Sequence, residues 1–62
     1  MVLNDLLEIL FGGCIIYLKT DDCKTLGRYT VLQLKQNRIY LNNRITFVAP
    51  VNYDVLYISI II

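Results

Sequence analysis

The chain has 62 residues, with six basic and five acidic side chains for a net charge of +1, and 56% of its residues are apolar against 18% charged. That length holds a single domain spanning 1–62, and the apolar content with one proline excludes a disordered tail. The near-neutral balance excludes a polyanionic mimic of nucleic acid and argues against a strongly basic, sequence-independent DNA binder. Surface scaling leaves about 4,100 Å² exposed in the folded monomer out of about 10,400 Å² in the extended chain, so only about 60% is buried. With so many apolar residues, the question is where the surplus apolar surface goes.

In chain order, Leu3, Leu6, Leu7 and Leu10 follow the i, i+3, i+4, i+7 stripe of a helix over about residues 4–11. Asn4 stands at its start as a cap, Asp5 and Glu8 favour its amide end, and Gly12-Gly13 stops it. Cys14 to Leu18 is a β-branched and aromatic run with the composition of a buried strand, and Asp21-Asp22 marks the turn after it. A second strand is expected over Leu26 to Thr30, weakened by Gly27. Residues 30–37 fit either a helical turn capped by Thr30 and Asn37 or a continuing strand, with the helical turn slightly preferred. Asn42-Asn43 suits a turn with positive φ. Residues 44–48 and 55–61 then form an antiparallel hairpin across the turn-rich segment 49–54. The implied fold class is α+β: an N-terminal helix packed on a small, mainly antiparallel sheet of three or four strands.

The last strand is apolar on both faces. A sheet covered by one small helix can use only one of them, so the other calls for a second subunit, a partner, or an internal segment such as residues 31–36. The first option points to a homo-oligomer, with a dimer favoured, and to Tyr57, Ile58, Ile60, Ile61 and Ile62 as its interface. No apolar run approaches the roughly 20 residues of a spanning helix, and no basic residue precedes Lys19 as a signal peptide would require. A protein of the cytoplasm that does not enter a membrane is expected, with Cys14 and Cys23 as free thiols.

Histidine is absent, which removes the commonest general base and metal ligand. The carboxylates are accounted for by helix-end and turn positions, neither glycine-rich nucleotide fingerprint is present, and Cys23 has no base beside it. No catalytic residue, metal ligand or cofactor is expected, so the chain reads as a binder and not an enzyme. One constellation suits binding: Arg28, Lys35, Arg38 and Arg44 are four of the six basic residues, and they interleave with Tyr29 and Tyr40. Arginine forks grip phosphate and tyrosine faces stack on bases, although alternating basic residues also protect the edges of sheets.

The order of Asn4-Asp5-Leu6-Leu7-Glu8-Ile9-Leu10, then Ile15-Ile16-Tyr17-Leu18, then Leu41 to Val48 and Asp54 to Ile60 resembles small proteins encoded by phages and prophages of Gram-positive bacteria. That group includes inhibitors of bacterial immunity, among them anti-CRISPR proteins and oligomeric sponges for nucleotide signals. The resemblance implies a partner that is a host immune protein or a nucleotide signal. A nucleic-acid-associated regulator is the less favoured alternative, and a structural assembly subunit is a third.

Overall fold

A computed structural model describes residues 1–62. Six elements follow one another: α1 (Leu3–Leu7), β1 (Ile15–Thr20), β2 (Thr25–Thr30), α2 (Val31–Asn37), β3 (Ile45–Asn52) and β4 (Val55–Ile60). The strands form one four-stranded sheet in the order β2-β1-β4-β3. This is the expected α+β class with the expected C-terminal hairpin. The two outer pairings are antiparallel, while the central pair β1–β4 is parallel. Parallel neighbours cannot be joined by a tight turn. Here β2, α2, the 38–44 loop and β3 together carry the chain from β1 back to β4.

Alternation along the central strands separates the two faces of the sheet. Ile16, Leu18 and Thr20 of β1 stand level with Leu56, Ile58 and Ile60 of β4 on the inner face. Both helices cover this face. Leu3, Leu6 and Leu7 of α1, with Val31 and Leu34 of α2, close over Ile16, Leu18, Ile58 and Ile60 to form one core that also takes in Cys14. Cys14 and Cys23 are both unbridged, the second of them exposed in the β1–β2 turn. The folded chain exposes 4,043 Å², close to the surface expected of a self-contained monomer of this mass.

This core corrects part of the expected interface. Ile58 and Ile60 have no solvent exposure within a single chain, so they are core residues and not subunit contacts. The reason is that α2 supplies the internal cover that residues 31–36 offered as one of three options. The helical reading of that segment holds. Thr30 is its N-cap: its hydroxyl accepts the Gln33 amide at 3.1 Å, while Gln33 Oε1 accepts the Thr30 N–H at 2.9 Å. Such a reciprocal box contributes about 1 kcal/mol.

Other boundaries move for local reasons. The first helix ends at Leu7 and not near residue 11, because the Ile9 and Leu10 amides bond three residues back to Leu6 and Leu7, tightening the last turn. Its start is held not by Asn4 but by the Asp5 carboxylate, which accepts the Val2 N–H at 3.2 Å. β3 runs on to Asn52 and leaves only Tyr53-Asp54 as the turn. Pro50 is tolerated inside it because β3 is an edge strand, and a bulge between Pro50 and Asn52 absorbs the irregularity. Gly27 is required where it stands, because φ is +142° and an added Cβ would lie 3.2 Å from the Tyr29 ring.

Candidate anion-binding cleft

The C-terminal end of α2 shapes the main polar concavity. The Ile39 amide bonds to the Leu34 carbonyl and the Arg38 amide to the Lys35 carbonyl, which is the bonding pattern of a Schellman motif. Arg38 holds its left-handed position, φ 52° and ψ 46°. Glycine normally occupies that place, since a Cβ in this region is strained. Tyr40, two residues on, is also at positive φ, 54°. The expected left-handed asparagines at 42 and 43 are instead ordinary turn residues, and Asn37 remains helical while Arg38 takes the cap.

The chain then returns to α1. The Leu41 carbonyl accepts the Asn4 amide and the Asn43 carbonyl accepts the Leu3 amide, each at 2.9 Å. Asn43 also donates through Nδ2 to the Ile61 carbonyl at 2.8 Å, pinning the loop to the end of β4. These bonds frame a cleft of about 490 Å³, lined by Asn4, Lys35, Arg38, Tyr40, Leu41, Asn42 and Asn43. No acidic side chain lines it. Two cations, a phenol and three carboxamides supply donors in excess, which is a suitable wall for an anion with a planar moiety.

The expected cluster is therefore brought together in half. Lys35, Arg38 and Tyr40 share the cleft. Arg28 lies elsewhere, on the outer face of the sheet opposite Tyr17. Tyr29 is on the inner face at the level of Ile16, half-buried and packed against the core. Arg44 is exposed, forming an isolated bridge with Val2, and is not part of the lining. In place of these three, the cleft recruits Asn4, Asn42 and Asn43. The adjacent asparagines were the available signal, but a turn accounts for them equally well in a sequence.

A second concavity of about 490 Å³ lies at the β1–β2 turn, and Tyr40 borders both. It contains Asp21 and Asp22 beside Lys24, with Asp22 accepting the Thr20 hydroxyl, so its charge is mixed and less suited to an anion. Of the remaining expected interface residues, Tyr57 points outward, while Ile61 and Ile62 are exposed beyond β4, Ile62 reaching this second concavity. No helix of the protein is long and apolar enough to cross a membrane. Compared with known protein families, curated proteins and solved structures, the chain matches none.

Proposed function

We propose that this protein is a non-catalytic binder that holds a small phosphorylated ligand of the nucleotide class in the cleft between α1, α2 and the 38–44 loop. The observation that carries this reading is the acid-free lining, in which Lys35 and Arg38 share the wall with Tyr40 and three carboxamides. The guanidinium of Arg38 offers a fork to phosphate oxygens, Lys35 adds a point charge, Tyr40 offers a ring face, and the asparagines offer both donors and acceptors to a base edge. A cavity of this size falls within the usual range for small ligands. Resemblance to small phage and prophage proteins adds a setting, the cytoplasm of a bacterial host, and a purpose, sequestration of a nucleotide immune signal.

The test is a thermal shift against a cyclic dinucleotide, followed by recovery of the ligand from denatured protein. At a hundredfold excess over the dissociation constant, binding stabilises the fold by about 2.7 kcal/mol. A clear upward shift, absent in Lys35→Glu, with intact ligand recovered, is the expected result. Absence of a shift with mono- and dinucleotides alike would refute the ligand class, and chemically altered ligand would refute the non-catalytic reading.

A further inference from the structure

Opposite the helices, the sheet has an uncovered face. Register places Arg28, Tyr17, Tyr57 and Ala49 in one row across β2, β1, β4 and β3, with Lys19 and Phe47 in the neighbouring row. Tyr17, Tyr57 and Phe47 are 38%, 44% and 55% exposed, a fraction that inward-facing aromatics of a closed sandwich would not keep. The Tyr17 and Tyr57 rings lie 5.3 Å apart at 42°, and Lys19 Nζ sits 5.8 Å from the centre of the Tyr57 ring. Between Tyr17, Lys19, Tyr57 and Thr25 is a depression of about 220 Å³, below the usual size of a pocket for a whole small-molecule ligand but open to a single planar ring.

The charge on this face has one sign. Its outward positions hold Lys19 and Arg28, and the acidic residues lie elsewhere: Asp5 within α1, Glu8 at its C-terminal end, and Asp21, Asp22 and Asp54 in the hairpin turns. A second copy packed on the face would add two cations and no carboxylate to meet them, which is unfavourable for self-association. A polyanion that carries exposed planar rings satisfies both the charge and the aromatic surface. Single-stranded nucleic acid has that chemistry, because its unpaired bases stack on flat aromatic platforms while its backbone meets cations at the rim. A duplex hides its base faces and offers the platform nothing to stack on.

We infer that the outer face of the sheet binds a short stretch of single-stranded nucleic acid, with Tyr17, Tyr57 and Phe47 as the stacking platform and Lys19 and Arg28 as phosphate contacts. With two cations, the logarithm of affinity falls against the logarithm of salt with a slope of about −1.4, shallow for a nucleic-acid binder. Stacking therefore carries most of the affinity. The site is distinct from the cleft, so either reading can fail without the other.

Fluorescence anisotropy with labelled twelve-nucleotide oligo-dT and oligo-U, at low and moderate salt, tests it. Binding is expected with that shallow slope and with little affinity for the matching duplex. Tyr17→Ala and Tyr57→Ala each weaken binding about tenfold or more, while Tyr17→Phe and Tyr57→Phe keep it, because the ring persists. A Lys35→Glu change in the cleft, away from the platform, weakens it far less than either alanine change. Unchanged binding in both alanine variants, with folding verified by circular dichroism, would overturn the assignment, as would a wild-type protein that fails to bind either oligonucleotide. Light scattering that shows a dimer dissociated by Tyr57→Ala would assign the face to a second copy and overturn it equally.

Discussion

Ile58→Ala should remove about 2–5 kcal/mol of stability, because Ile58 is fully enclosed between the helices and the centre of the sheet and the vacated space cannot be refilled. At about 0.05–0.15 kcal/mol per residue, a domain of this size has roughly 3–9 kcal/mol in all. The variant is thus expected to lose about half or more of its stability, whereas Tyr57→Ala, one position earlier and facing outward, should be far milder. Urea unfolding followed by circular dichroism measures both. The same experiment at two protein concentrations a decade apart decides how the C-terminal strand is covered. Cover by the chain's own helices leaves the midpoint unmoved, and cover by a second subunit raises it with concentration.

The second large effect separates stability from binding at one residue. Arg38 pays a conformational cost at the left-handed cap of α2 of about 1–2 kcal/mol. Glycine there removes that strain but adds about 0.4–1 kcal/mol of unfolded-state freedom. Arg38→Gly is therefore expected to stabilise the protein by about 0.5–1 kcal/mol while stripping the cleft of its fork and weakening nucleotide binding about tenfold or more. Denaturant midpoints and calorimetric titration read the two effects independently. A fold that is stabilised by losing a side chain points to a side chain kept for another purpose, as strained backbone positions often do. Should Arg38→Gly bind as tightly as the parent, the side chain would have no part in the ligand site.

The elements that were legible in the sequence are those whose cause is local. Thr30 marks the start of α2, although residues 30–37 also fit a continuing strand and only the Gln33 bond decides between the two, and the β-branched and aromatic run ending at Leu18 announces β1. The extension of β3 through Pro50 was hidden, since a proline ends a central strand and only sheet order reveals that this one lies at an edge. The fate of the isoleucine-rich C-terminus was hidden for a related reason. Both of its faces are apolar, and which of them is buried depends on where α2 lands. The parallel β1–β4 pair, which puts Tyr17 beside Tyr57, joins residues forty positions apart and has no local signature.

The candidate sites divide along the same line. Lys35, Arg38 and Tyr40 fall together because the helix end and its loop are continuous in sequence. Arg28 looked like their neighbour by spacing, but strand alternation sends it to the far face of the sheet. Asn4 joins the cleft only through the bond of its amide to Leu41, a long-range contact with no trace in composition. The aromatic platform went unnoticed for the opposite reason. Tyr17 sits in a strand that reads as buried, and Tyr57 reads as part of a subunit interface.

Amide chemical-shift mapping during titration with a cyclic dinucleotide tests the cleft most directly. The expected result is a contiguous set of perturbed signals at Asn4, Lys35, Arg38 and residues 40–43, saturating together and leaving Tyr17 and Tyr57 still. Saturable shifts confined to other parts of the chain, or none at millimolar ligand, would contradict it.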